Sequence, residues 1–429
     1  MSVSAMEARH EHIPHYRWII AGLLFLANAI NYLDRSALSI VAPLVIRDLG
    51  FDAAELGIIF SAFFVGYSVF CFVGGWASDR WGPKLVFAVA MVWWSLFCGA
   101  TALITGFVSL LIVRVLFGIG EGPMGSTTNK TITNWFPREE AATMVGITNA
   151  GNPIGGAISG PIVGIIAAAF SWRVSFVAIT LIGLTWVAFW WWLVTDTPAQ
   201  NPNVTPAERD LVARSRALAP AGDDPTTTIA QWLRSPTVLA IALAFFSYNY
   251  VLYFFLTWLP TYLTYVHHLN IQQMSIVTVL PWACGSVGMV LGGLLAEGLF
   301  RRPGNSILSR KIVLVGALSL AAIMVIIAPK AETLTFAIAL IAAANLFLLM
   351  APQNCWALIQ ETVPASRVGG VGGYVHFLSN LAGIIGPALT GFLVQYGGGY
   401  TASFILAGVL AAIGALAVML LVRGKAEPV

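Results

Sequence analysis

The chain has 429 residues, 58% of them hydrophobic and only 10% charged, with a mean hydropathy of +0.82. Soluble domains are roughly half apolar and a quarter charged, so this composition excludes one and implies a polytopic membrane protein whose +3 net charge reflects topology, not nucleic-acid binding. The four cysteines, Cys71, Cys98, Cys284 and Cys355, are scattered through apolar segments without the spacing of a disulfide framework or a zinc site.

Residues 1–16 are polar, and the apolar run after them is too long for a signal peptide and lacks a small-residue cleavage site, so they read as a cytoplasmic tail before a retained span. A helix needs about 20 apolar residues to cross a hydrocarbon core of roughly 30 Å. Twelve such windows, bounded by charges, Pro or Gly, lie near 17–44, 54–77, 83–105, 107–134, 141–169, 173–194, 238–266, 273–299, 311–328, 334–360, 368–395 and 400–422. The predicted architecture is therefore all-α: a six-helix bundle over 17–194, a hydrophilic cytoplasmic loop over 195–236, a second six-helix bundle over 237–422 and a short tail, 423–429. Lys and Arg concentrate on cytoplasmic loops. With the N-terminus inside, those loops hold Arg9, Arg80, Lys84, Arg138, Arg209, Arg301 and Arg423 among others, while the opposite side holds only Arg47, Arg173 and Lys330. Both termini are thus expected in the cytoplasm, and the protein in a cell membrane, the inner membrane if bacterial.

The two halves echo each other in order. "GGWASDRW" from 74 matches "GGLLAEGLFRR" from 292, Pro137 matches Pro364, "GNPIGGAISGP" from 151 matches "SNLAGIIGP" from 379, and "SWRVSF" from 171 matches "GYTASF" from 399. Four matches in one order indicate duplication, and parallel six-helix repeats are the layout of a rocking transporter with its substrate site at the midplane.

"GGWASDRWGPK" resembles the helix 2–3 loop motif of the major facilitator superfamily, with Gly75, Asp79, Arg80, Gly82 and Lys84 at the motif positions. "NYLDRSALSIV", "RVLFGIGEGP", "NWFP" and "FLTWLPTYL" are similar to segments of its anion:cation symporter family, which includes galactonate, glucarate and hexuronate transporters. The resemblance covers nearly the whole chain and implies proton-coupled import of an organic anion. It further implies that the motif is a latch between bundles stabilising an outward-open state, that the acids on helices 1 and 4 carry protons, and that the helix 1 arginine binds the anion.

Five charges fall inside spans, all in the first half: Asp34, Arg35, Arg114, Glu121 and Lys130. Each costs at least about 2.5–3.5 kcal/mol near a bilayer centre, so such residues face cavities, pair and act. On helix 1 a polar seam, Asn28, Asn31, Tyr32, Arg35 and Ser39, follows helical spacing. Arg35 is the candidate clamp for a substrate carboxylate, because a planar guanidinium binds it bidentately and stays charged. Asp34 and Glu121 are candidate proton carriers, with Arg114 at a depth where it can meet Asp34; the alternative is a fixed ion-pair network that only orients helices. Lys130, near a helix end, reads as snorkelling.

The second half has no charge inside its spans and can offer only neutral contacts. Trp258, Ser379 and Asn380 are candidates there, joined by Tyr67 and Asn152 in the first half, with Asn249, Tyr250, Tyr253, Gln353 and Asn354 as ligand contacts or helix–helix glue. By the resemblance, Asn152 and Asn380 contact ligand hydroxyls; galactonate transporters have glutamine at the Asn152 position, one methylene longer. His376 reads as a packing histidine with proton carriage as the alternative. The expected protein is a monomeric secondary transporter using rocker-switch alternating access, driven by the proton gradient without a cofactor, and its partners are a small organic anion, protons and the bilayer. An anion exchanger or facilitated exporter on the same scaffold is the nearest rival, and a non-transporting sensor the next. No nucleophile–base set or metal-ligand cluster supports an enzyme.

Overall fold

The computed structural model describes residues 16–217, 229–300, 306–364 and 367–422. The expected N-terminal and C-terminal tails, part of the central loop, and the topology-setting Arg9, Arg301 and Arg423 lie outside these residues.

Among the described residues, twelve helices are long and apolar enough to span a membrane: α1 (Tyr16–Leu49), α2 (Ala53–Trp81), α3 (Pro83–Leu103), α4 (Phe107–Trp135), α5 (Thr143–Ala169), α6 (Trp172–Leu193), α7 (Pro236–Tyr265), α8 (Ile271–Leu299), α9 (Ile307–Lys330), α10 (Leu334–Thr362), α11 (Val368–Tyr396) and α12 (Gly399–Leu421). No strand occurs among the described residues. The helix count and order match the sequence expectation, and the boundaries shift by a few residues. The largest shift is at α1, which runs through Pro43 to Leu49 where the sequence window ends at 44.

Local chemistry sets the helix starts. Asp52 opens α2 with a reciprocal capping box to Glu55, Asn270 does the same for α8 with Gln273, and Ser171 and Thr333 cap α6 and α10. Between α2 and α3 the chain turns at Gly82 with φ +82°, and a Cβ there would strike the Asp196 carboxyl. That carboxyl accepts from the Lys84 backbone N–H at 2.8 Å, so the loop leaving α6 is fastened beneath the turn.

The duplication is visible in the helix breaks. α4 is interrupted at Gly122–Pro123, between Phe107–Glu121 and Met124–Trp135, and α10 at Leu349–Met350, between Leu334–Leu348 and Ala351–Thr362. Pro161 inside α5 and Pro387 inside α11 occupy matching places in the "GNPIGGAISGP" and "SNLAGIIGP" repeats. Proline removes a helix donor, and a broken helix next to a buried site lets backbone and side chains take non-helical partners.

The bundles meet through α2 with α11, α1 with α7, and α5 with α8. At the end of the molecule holding the α1–α2 turn they are sealed. There Gly57 of α2 rests on the backbone of Pro387, Ala388 and Gly391 with no room for a Cβ, Ser61 Oγ accepts from Ala388 N–H at 2.9 Å, and the Phe64 ring lies on Gly383. At the end holding the α2–α3 turn the same two helices diverge around a cavity of about 870 Å³. Its walls include Cys71, Phe72, Trp76 and Asp79 of α2 and Gly373, His376 and Asn380 of α11. The molecule is thus closed at one end and open at the other.

Candidate functional site

The site forms where α1, α2 and α4 converge beside the second bundle. Close approach of α2 and α4 creates it: a Cβ on Gly118 would lie on the Phe63 carbonyl oxygen, and one on Gly122 would meet Phe70 and Cys71. The missing side chains let Glu121, the last residue before the α4 break, face α1.

Arg35 Nη2 donates to Glu121 Oε2 at 2.7 Å and Nε to the same oxygen at 3.1 Å. Glu121 is fully buried and Arg35 is 7% exposed. The guanidinium carbon also lies over three rings, Tyr67 at 4.8 Å, Phe63 at 4.9 Å and Tyr32 at 5.3 Å. The contact is one-sided. Both nitrogens use one carboxylate oxygen, and Glu121 Oε1 is buried without a hydrogen-bond partner. The Asn31 amide faces Glu121 without closing a bond of good geometry, its Nδ2 being unpaired too. Arg35, Glu121, Tyr32, Asn31 and Tyr67, all sequence candidates, therefore share one site.

Asp34 turns away from it, as adjacent helical residues do. The expected meeting with Arg114 is not made. Asp34 Oδ2 instead accepts from the Trp94 indole N–H of α3 at 3.1 Å, and Oδ1 is buried and unpaired. Arg114, 4% exposed, lies over Phe63 at 5.0 Å and Phe117 at 5.2 Å, its Nε without a partner. Depth along the helices brings the two to one level, but rotation points them at different neighbours. Phe63 consequently carries both guanidiniums, a role that its apolar identity conceals in the sequence.

From the second bundle, Tyr253 of α7 reaches the site, its ring 4.3 Å from that of Phe64. Its hydroxyl donates to Asn380 Oδ1 at 2.9 Å, and Asn380 Nδ2 and Ser379 Oγ both donate to the His376 carbonyl at 2.8 Å. Asn380 lines the open cavity while Ser379 is fully buried. Asn152 is half-buried on α5 with its Oδ1 unpaired, so the two asparagines related by the repeat are not bonded to each other. Trp258 belongs to the closed end, where its indole donates to Pro387 O at 3.2 Å and its ring meets Phe60 edge-on at 5.9 Å. Gln353 and Asn354 donate to the carbonyls of Met289 and Gly292, which ties α10 to α8. His376 packs against Phe245 and Trp356 while lining the open cavity.

The motif residues lie at the open end. Asp79 pairs with Lys130 Nζ at 2.5 Å, so the contact joins α2 to α4 inside one bundle and is not a latch to the other; Lys130 is a partner where snorkelling was expected. Lys84 sits over the Trp191 ring at 4.9 Å, Arg80 is exposed, Gly75 also lines the open cavity, and Gly82 makes the turn already described. No cluster of metal-ligating side chains occurs among the described residues.

The Major Facilitator Superfamily profile matches residues 24–387 and 304–429. A hexuronate transporter of Bacillus subtilis (strain 168) is 48% identical over 402 residues, 93% of this chain and 93% of that protein. A probable L-galactonate transporter of Escherichia coli (strain K12) is 31% identical over 404 residues, 94% of this chain and 88% of that one. Among solved structures, a bacterial homologue of the human lysosomal transporter Spinster superposes with a TM-score of 0.76 at 18% identity, covering 95% and 97% of the two chains. A D-xylose–proton symporter superposes with a TM-score of 0.73 at 16% identity, covering 96% and 99%. These two likenesses establish the fold.

Proposed function

Because the chain belongs to the Major Facilitator Superfamily, a family of membrane carriers and not of enzymes, we propose that it imports a sugar acid of the hexuronate class together with protons. The observation that carries this reading is the buried Arg35–Glu121 contact at the bundle interface. A substrate carboxylate offers Arg35 two oxygens, whereas Glu121 uses one, so an arriving anion displaces Glu121 from the guanidinium. A carboxylate released into a buried site without its cation takes a proton, because the ionised form loses its stabilising partner. Substrate and proton are coupled by competition for one arginine.

Around the clamp, Tyr32 and Tyr67 shape the carboxylate end, and Tyr253, Asn152 and Asn380 offer neutral polar groups for sugar hydroxyls. The 48% identity to a hexuronate transporter supports this substrate class over aromatic or apolar acids. If Lys- and Arg-rich loops are cytoplasmic, the open cavity faces the cytoplasm and both termini lie inside, which is the inward-open state of a rocker switch in a cell inner membrane. In that state the motif latch is disengaged, consistent with Asp79 pairing inside its own bundle. The carrier works as a monomer without a cofactor.

The test is uptake of labelled glucuronate or galacturonate into proteoliposomes under an inward proton gradient. Accumulation that collapses with a protonophore is expected. Uptake that only equilibrates, gradient or not, would indicate facilitated diffusion or exchange. Glu121→Gln should retain counterflow of substrate and lose gradient-driven accumulation, since glutamine can contact Arg35 but cannot carry the proton.

A further inference from the structure

A second small chamber lies beyond Arg35 toward the closed end, enclosed by α1, α5, α7 and α8. It has a volume of about 10 Å³, room for one water, and its polar lining is Ser36, Ser39, Ser159 and Thr278. All four hydroxyls are buried and all four donate to their own helices: Ser36 to Tyr32 O, Ser39 to Ser36 O at 2.8 Å, Ser159 to Gly156 O at 2.7 Å, and Thr278 to Ser275 O at 3.0 Å. With their protons committed, these oxygens present only lone pairs to the chamber. On α7, Leu256 and Pro260 both line the wall. Proline has no N–H, so the Leu256 carbonyl four residues earlier lacks its helical donor. Residues of both bundles thus converge on a space rich in acceptors, and no titratable side chain lines it from any of its four helices.

Such a lining favours an occupant that donates more hydrogen bonds than it accepts. A hydronium has three O–H donors and a water two, while a small monovalent cation satisfies the same oxygens. The chamber also abuts the substrate site. The lining residue Trp282 meets Tyr32 of the site edge-on at 6.0 Å. The nearest charges, Arg35 and Glu121, cancel within their contact, with Asp34 turned to Trp94. Glu121 Oε1 stands buried and unpaired as an acceptor.

We propose that this hydroxyl chamber is the proton-loading route of the carrier: it holds a relay water that takes up a proton arriving from the closed end and delivers it to Glu121, separately from the α2–α11 path of the substrate. In the step, the relay water forms one O–H bond as it gives up another, and the proton it releases passes through hydrogen-bonded water beside Tyr32, the site residue that touches the chamber wall, to form an O–H bond at Glu121 Oε1. Water is regenerated, and the four hydroxyls keep their own protons. The inference rests on the proton-symport reading, and the experiment separates the two.

The full-length protein in proteoliposomes is assayed with labelled glucuronate, comparing wild type with Ser39→Ala combined with Thr278→Val. Losing two acceptor oxygens weakens the hold on the relay water, and the rate of proton-driven uptake should fall about tenfold. Counterflow, which needs no net proton entry, should be unchanged and shows that the variant is folded. Thr278→Ser alone, which keeps the hydroxyl, should behave as wild type. An unchanged proton-driven rate in the double variant, or an equal loss of uptake and counterflow, overturns the proposal. If a sodium gradient replaces the proton gradient in wild type and the double variant abolishes that effect, the chamber is a sodium site and the proton route is rejected. Wild type that shows no proton-driven uptake at all rejects symport, and this inference with it.

Discussion

Arg35 is held by one oxygen of Glu121 and three aromatic faces, an arrangement that depends on the shape of the guanidinium as well as its charge. Arg35→Lys should therefore behave as a severe substitution. Lysine keeps the cation but is a hydrated point charge that neither forks to a carboxylate nor stacks on Phe63 and Tyr67. We expect glucuronate affinity to fall by at least about tenfold, the equivalent of losing one charge-assisted hydrogen bond, measured by substrate-induced thermal shift or equilibrium binding in detergent. Affinity equal to wild type would remove Arg35 from the anion clamp. At this scale the sequence is partly legible. Charges inside spans identify Arg35 and Glu121, since few physical reasons put them there. Phe63 and Trp94 stay hidden because an aromatic in an apolar span looks like any other lipid-facing or core residue. The Asp34–Arg114 pairing fails because helical rise gives depth well, whereas the direction of a side chain depends on how each helix is rotated against its neighbours.

Helix contacts, in turn, rest on a few glycines whose role is steric. Gly118 sits on the Phe63 carbonyl, so Gly118→Leu should push α2 from α4 and pull Glu121 from Arg35. Overpacking of this kind costs about 1–3 kcal/mol, and the variant should show a lower melting temperature together with loss of substrate binding. Gly125, two turns further along α4, is exposed, and a Cβ added there would meet no atom within 4 Å. Gly125→Ala should be neutral or slightly stabilising, by about 0.5–1 kcal/mol, through better helix propensity. Equal destabilisation by both would mean that glycine flexibility, not close approach, matters in α4. Helix number, helix order and the duplicated Gly/Pro patterns are readable from the sequence, because apolar length and repeats are one-dimensional signals. The breaks within spans carry a proline signal as well, Pro123 in α4 and Pro352 just past Leu349–Met350 in α10, but a proline alone does not tell an interrupted span from the end of one.

For the whole molecule, the closed and open ends imply a state-dependent pattern of proximity. In a background without the four native cysteines, Ala53→Cys with Gln395→Cys spans the closed end, where the Ala53 N–H already donates to Gln395 Oε1 at 3.3 Å. A short bifunctional thiol reagent should join this pair and stop transport until it is reduced. Gly75→Cys with Gly370→Cys spans the cavity at the other end and should join only when that end has closed, with saturating substrate or a changed proton gradient altering the yield. Identical cross-linking of both pairs under all conditions would argue against alternating access. Neither end can be read from sequence, because the duplicated bundles favour both orientations and only their packing selects one.

The placement of charge in the two bundles has a further consequence, for how the cell's voltage acts on the carrier. Asp34, Arg35, Arg114 and Glu121 sum to zero when both acids are ionised, Asp79 neutralises Lys130, and α7, α11 and α12 contain no Asp, Glu, Lys or Arg at all. A membrane potential exerts about 2.3 kcal/mol on each elementary charge moved through 100 mV. Rocking of the unloaded, deprotonated protein carries no net charge through that field, so the voltage does no work on its return. Electrical work falls on the cargo alone: a monovalent anion with one proton moves silently, and each additional proton lets the membrane potential drive uptake.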